Sequence, residues 1–285
     1  MQRRLIVLAG GVIGVLLMDR WWDTHGDALS GLSTLTPWML GLGLLCLPAS
    51  MIVQLDRTRK VLGLTTYKPL LHPVFMAHGV NVMLPSLLGD LYEIGAVSTI
   101  SGMPIHRVLV RLLHRFSTTL CALGILAAFA LGAVSMALAM AVLILALLGP
   151  FVVDRLTPWW SSRLRIPGTN TPPALRGLGD GETLAHIVLA TAQHTLSATG
   201  IILIGRGMGE AIQPTMAAAM LSIADLVTYL PVPVGGIGIH HWSTTAAATA
   251  LGSVPASLIV VHHGWVVLVG CGSIALAYWV RDRAE

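Results

Sequence analysis

The sequence predicts an all-α polytopic membrane protein. Of its 285 residues 55% are hydrophobic and only 11% charged. Mean hydropathy is +0.78, and long apolar runs are separated by short basic clusters. A water-facing globular surface needs far more charge than this, so a soluble fold is excluded. The net charge of +4 does not signal nucleic acid, because the basic residues sit at the ends of apolar runs. They report topology.

A helix crossing the hydrocarbon core needs about 20 apolar residues. Leu5 to Met18, Pro37 to Leu55, Thr183 to Gly205, Ile212 to Leu230 and Ser253 to Val280 are each read as spanning or half-spanning helices. The first run follows Arg3 and Arg4 like a signal peptide, but no small-residue cleavage site follows it, and Asp19-Arg20-Trp21-Trp22 reads as an interfacial anchor. Phe116 to Val153 carries no charge and suits two spans turning near Gly132 to Ser135. About seven to eight transmembrane helices are expected in a single integral domain covering residues 1–285. Its first half is 1–153, a loop follows at 154–182, and the second half is 183–285.

Lys and Arg near span ends stay cytoplasmic. Arg3, Arg4, Arg57, Arg59, Lys60, Arg107, Arg111, Arg115, Arg155, Arg163, Arg165, Arg176, Arg281 and Arg283 can share one side, with Arg20 and Arg206 on the other. Both termini and the 154–182 loop are therefore expected in the cytoplasm. Val61 to Pro104 and Ala211 to Pro255 must then each enter and leave on one side, from opposite faces.

Each of these segments has a helix-breaking centre: Asn81 to Asp90, containing Pro85 and Gly89, and Tyr229 to His241, containing Pro231, Pro233, Gly235 and Gly236. Breaks at 84–90 and 230–241 in two halves of inverted topology point to two oppositely oriented re-entrant hairpins. Such an inverted pseudo-repeat leaves backbone donors and acceptors at membrane depth, as a transporter's central site requires. Ordinary kinked spans are the alternative.

Ionisable groups inside a bilayer cost about 2.5 to 3.5 kcal/mol each on insertion scales, so they usually face a cavity or a partner. Asp90 and Glu93 lie three apart after the first break, on one helix face in its first turn. Either they line a site or they cap the helix at the interface. Asp225 is the only acid in its apolar run. Arg115 can pair with it across the repeat interface, or snorkel with Arg111 to the surface. His240 and His241 follow the second break, and His262, His263, His186 and His194 complete six imidazoles in the C-terminal half. Adjacent histidines point about 100° apart on a helix, and no H-x-x-x-H or H-E-x-x-H pair occurs. A metal or haem site is thus disfavoured against proton-sensitive lining or hydrogen-bonded burial. Cys46, Cys121 and Cys271 are scattered singly and read as packing or lipid-facing residues.

No Walker A sequence, G-x-S-x-G elbow or D-D-x-x-D patch occurs, so no enzyme activity, nucleotide site or other cofactor is expected. The residues expected to line a substrate path are Asn81, Pro85, Gly89, Asp90, Glu93, Arg115, Asp225, Pro231, Gly235, Gly236, His240, His241 and His262.

At the two breaks the sequence resembles the transmembrane region of the lysyl-phosphatidylglycerol synthase family, which includes hopanoid transport proteins. The family's first motif looks like N-x-x-L-P-x-x-x-G-E, here Asn81 to Asp90 with Asp in place of Glu. A later E-R pair is here His114-Arg115. The second motif looks like L-P-x-P-x-G-G-[LI]-G-x-[RH]-E, here Leu230 to His241. His241 replaces Glu, His240 replaces Arg, and His262-His263 stands where members often carry an Arg. These departures point away from a site tuned to a lysylated phospholipid. The resemblance implies a flippase-like translocator of a phospholipid or other amphiphile in the bacterial inner membrane, without an appended synthase domain. Its partners would be a membrane lipid and, in a homodimer, a second copy. The alternatives are an ion or metal transporter using the histidines, or an accessory subunit or enzyme for a lipid-linked envelope substrate.

Overall fold

The computed structural model describes residues 36–83, 87–163, 177–228 and 256–282. Among them it is all-helical, with α1 (Pro37–Leu62), α2 (Lys68–Met83), α3 (Leu87–Ser101), α4 (Ile105–Leu131), α5 (Met136–Arg163), α6 (Asp180–Gly207), α7 (Pro214–Thr228) and α8 (Ala256–Asp282). Stretches of five of these are long and apolar enough to cross a membrane: Pro37–Leu62, Ile105–Leu131, Met136–Trp159, Asp180–Gly207 and Gly264–Arg281. The helices α2, α3 and α7 are shorter, at 16, 15 and 15 residues. The Leu5 to Met18 run and the second break at 230–241 lie outside the described residues.

Close helix crossings rest on small residues, since lipid supplies no hydrophobic drive between helices and backbone approach must replace it. The helices α1 and α6 run antiparallel. A Cβ on Gly43 would meet the Ile204 backbone nitrogen at 2.8 Å, and one on Gly207 would meet that of Leu40 at 2.7 Å. The Thr36 N–H donates to the Gly207 carbonyl at 2.7 Å, closing the same pair at its end. In the crossing of α2 with α8, a Cβ on Gly79 would collide with Ile274, and one on Gly270 would reach Val82 at 2.9 Å.

The uncharged stretch folds into the expected hairpin of α4 and α5, with its turn between Leu131 and Met136. The helix α5 is the most apolar span, with mean hydropathy 2.7, and only 11% of that stretch is buried. Its outward side chains, among them Leu138, Ile144, Leu145 and Leu148, form a face suited to lipid. It also continues through Pro158 to Arg163, past the predicted loop start at Asp154. Asp154 is buried because its carboxylate accepts the N–H groups of Leu178 and, at 3.2 Å, Gly179. This clamps the start of α6 to α5.

The helices α2 and α3 form an antiparallel pair joined through 84–86. Tyr92 Oη lies 3.2 Å from His72 Nδ1 at one end. At the other, the Gly89 N–H donates to Asn81 Oδ1 at 2.9 Å. Gly102, at φ +69°, turns the chain from α3 into α4, and Gly63, at φ +68°, ends α1. Both occupy the left-handed region that only glycine enters without strain.

Two apolar cores flank the interior. One joins Leu55 and Leu62 of α1, Leu70 and Val74 of α2, Val97 of α3, and Val108 and Leu112 of α4. The other joins Leu126 of α4, Ile201 and Ile204 of α6, Met220 of α7 and Leu258 of α8. The polar side chains of the site belong to neither cluster.

Candidate functional site

A cavity of about 220 Å³ lies in the interior, lined by every described helix except α5. Its lining combines polar and charged side chains, Gln54, Arg57, Asp90, Arg115, Gln193 and Asp225, with apolar ones that include Leu47, Met51, Val82, Ile201, Leu221 and Val266. The mixture follows from helical spacing. Ser50, Gln54 and Arg57 recur at i, i+4 and i+7 along α1, and Gln193, Ser197 and Gly200 do the same along α6, so each helix turns one polar stripe inward.

Arg115, on α4, is held by two other helices, α3 and α1. Its Nη1 donates to Glu93 Oε1 at 2.5 Å and to Thr58 Oγ1 at 2.8 Å, and its Nη2 donates to Glu93 Oε2 at 2.9 Å. Asp90 Oδ1 stands 3.9 Å from the same Nη2. The geometry with Glu93 is the bidentate fork that guanidinium and carboxylate make best. Glu93 is only 1% exposed, so it is neither a cap nor an interfacial acid. Arg115 is buried as well, which overturns the expectation that it snorkels to the surface.

Asn81, near the end of α2, holds the start of α3 beside Asp90. Its Oδ1 accepts the Gly89 N–H, while its Nδ2 donates to Asp90 Oδ1 at 3.2 Å. Gly89 is required there, because a Cβ would collide with the Ala77 carbonyl and Asn81 Oδ1. The N-x-x-L-P-x-x-x-G-D string thus has a physical role at its first and last two positions. The side chain of Pro85 lies outside the described residues.

Arg57 shares its span end with Arg59 and Lys60, and unlike them it turns inward, where it is 1% exposed. Its Nη1 donates to Gln193 Oε1 at 2.6 Å. Its Nη2 donates to Thr118 Oγ1 at 2.9 Å, Thr119 Oγ1 at 3.1 Å and the Arg115 carbonyl at 3.2 Å. Arg59 and Lys60 do behave as surface cations: both pair with Asp56 at 2.9 Å, and Arg59 also covers the Tyr67 ring. The missed signal was helical phase, which puts Arg57 on the stripe of Ser50 and Gln54.

In the same lining Asp225 Oδ2 lies 3.3 Å from His194 Nδ1, joining α7 to α6. His78 of α2 and His262 and Trp265 of α8 line the same space. His186, though buried, does not line the cavity. Of the predicted path residues, Asn81, Asp90, Arg115, Asp225 and His262 meet at this cavity, and Glu93 and Gly89 stand directly behind them. Pro231, Gly235, Gly236, His240 and His241 lie outside the described residues. Among the described residues no three His, Cys, Asp or Glu side chains are grouped to hold a metal ion. No protein-family model and no curated relative matches the chain.

Proposed function

We propose that the protein is a membrane-embedded lipid translocator, passing the head group of a phospholipid or other amphiphile through this cavity. The observation that carries the reading is a cavity lined by charged, hydrogen-bonding and apolar side chains together, inside a bundle of membrane-length helices. Intramembrane ionisable groups in such number mark a pathway for a polar group rather than a packing core. A volume of about 220 Å³ suits a small head group and not a whole lipid, so the acyl chains would remain in the bilayer.

The same reading gives the finer topology. The helices α2 and α3 form a re-entrant hairpin with its tip at 84–86, and a second, oppositely oriented one is built around 230–241. The five membrane-length helices, the apolar run before Pro37 and the two hairpins are then arranged as an inverted repeat. Both termini face the cytoplasm of a bacterial inner membrane, as the distribution of Arg and Lys favours. The resemblance at Asn81 to Asp90 and at Leu230 to His241 supports placing the chain beside the lysyl-phosphatidylglycerol synthase transmembrane regions. A homodimer would be compatible with the bare apolar face of α5.

Proteoliposomes containing a fluorescently labelled phospholipid test the proposal. With the protein present, dithionite added outside bleaches the inner-leaflet label as well as the outer. Asp90→Asn slows that second phase. A bleached fraction equal to that of protein-free vesicles, for anionic, zwitterionic and uncharged labelled lipids alike, would overturn it.

A further inference from the structure

Three buried ring nitrogens of cavity-lining residues lack a hydrogen-bond partner among the described residues: Nε2 of His78, Nε2 of His194 and Nε1 of Trp265. They come from three helices, α2, α6 and α8. Buried polar atoms are almost always paired, and an unpaired one costs most where the surroundings are least polar. Three around one space indicate that something polar belongs between them.

The chemistry of that partner follows from what each nitrogen can do. Asp225 Oδ2 stands 3.3 Å from His194 Nδ1. A carboxylate only accepts, so it favours the tautomer with its proton on Nδ1 and leaves the Nε2 lone pair as an acceptor. The indole Nε1–H of Trp265 only donates. A ligand satisfying both must donate at one point and accept at another, as a hydroxyl does. The guanidiniums of Arg57 and Arg115 are meanwhile engaged by Gln193, three threonines and Glu93. A phosphate approaching their terminal nitrogens would compete with these partners.

We infer that the cavity holds a subsite for an uncharged polyol, with His194 Nε2 accepting from one hydroxyl, Trp265 Nε1 donating to another, and His78 supplying a third contact. The inference rests on the amphiphile reading above, in that the polyol is the head group of a membrane lipid. It goes further by choosing hydroxyl chemistry over charge. Asp225 is a positioning residue here, since it acts through the tautomer of His194.

Native mass spectrometry of the full chain in an amine-oxide detergent, which carries no hydroxyl, tests the inference with two probes of one tail: monooleoylglycerol, a vicinal diol, and methyl oleate. The wild type is expected to hold the diol about tenfold more tightly, the value of one to two net hydrogen bonds. Trp265→Phe and His194→Phe each keep an aromatic ring, remove a nitrogen, and are expected to narrow that preference. In Asp225→Asn the new amide can donate to Nδ1 and so favour the proton on Nε2, a change visible in the nitrogen-15 shifts of labelled histidine. A purely structural role for Asp225 would leave those shifts alone.

Equal retention of both probes by the wild type, or a preference that neither ring variant alters, overturns the subsite and leaves the translocator reading intact. If free glycerol competes as strongly as monooleoylglycerol, the polyol subsite stands and the amphiphile reading falls.

Discussion

Arg115 of α4 and Glu93 of α3 are joined by two charge-assisted hydrogen bonds, at 2.5 and 2.9 Å, with the carboxylate only 1% exposed. The pair ties the α2–α3 hairpin to the long helix behind it and holds a cation at the edge of the cavity. A buried ion pair is costly to desolvate, and removing one partner leaves the other charge uncompensated.

Glu93→Ala is therefore expected to destabilise the protein by about 3 kcal/mol, by the usual cost of breaking a buried pair. Replacing both partners, as Glu93→Met with Arg115→Leu, should recover most of that stability while abolishing translocation. A double-mutant cycle from denaturation in mixed micelles measures the first effect, and the vesicle assay the second. Stability of Glu93→Ala equal to wild type would show that the pair is dispensable.

Arg57 makes four hydrogen bonds to α4 and α6 through its two terminal nitrogens. A lysine ammonium carries the charge but not the planar fork, and it cannot reach Gln193 and both threonines together. Arg57→Lys should accordingly lose about 2 kcal/mol of stability, as buried acceptors go unpaired. Arg59→Lys, at the exposed end of the same helix, should change it by less than about 0.5 kcal/mol. Thermal melts of the two variants in one detergent compare them directly; similar melting temperatures would contradict the burial of Arg57.

Much of this arrangement is legible in the sequence. Apolar length places the spans, the uncharged run from Phe116 to Val153 places the α4–α5 turn, and the Asn81 to Asp90 string singles out the turn that carries Asp90. What a linear reading misses is phase. Counting charges at span ends treats Arg57, Arg59 and Lys60 as one cluster, although on a helix they point in different directions and only the first follows Ser50 and Gln54 inward. Partner choice is also invisible: Glu93 and Asp90 share a face, and only tertiary packing decides that the fork goes to Glu93 while Asp90 stays with Asn81.

Gly89 sets a steric test of the hairpin tip. Its N–H bonds Asn81, and a methyl group there would overlap the Ala77 carbonyl and the Asn81 side chain. Gly89→Ala should force α2 and α3 apart at a cost of about 2 kcal/mol, typical of overpacking a close contact. Gly95→Ala in the same helix, where a Cβ would meet nothing within 4 Å, should be neutral or mildly stabilising. Matched melts of the two variants decide it, and equal destabilisation would remove the special role of Gly89.

The proposed re-entrant arrangement, in which α2 and α3 turn back inside the bilayer, fits their length. At 1.5 Å per residue, 16 and 15 residues reach only about 24 and 22 Å, short of the roughly 30 Å hydrocarbon core. In a variant lacking Cys46, Cys121 and Cys271, Thr66→Cys and Pro104→Cys flank the hairpin in the exposed connections to α1 and α4. Both should react with a membrane-impermeant maleimide from the cytoplasmic face alone. Ser86→Cys, in the sequence between α2 and α3, should then resist the reagent from the opposite face. Labelling of Ser86→Cys from that face would make α2 and α3 complete crossings, which their length permits only where the bilayer thins around them.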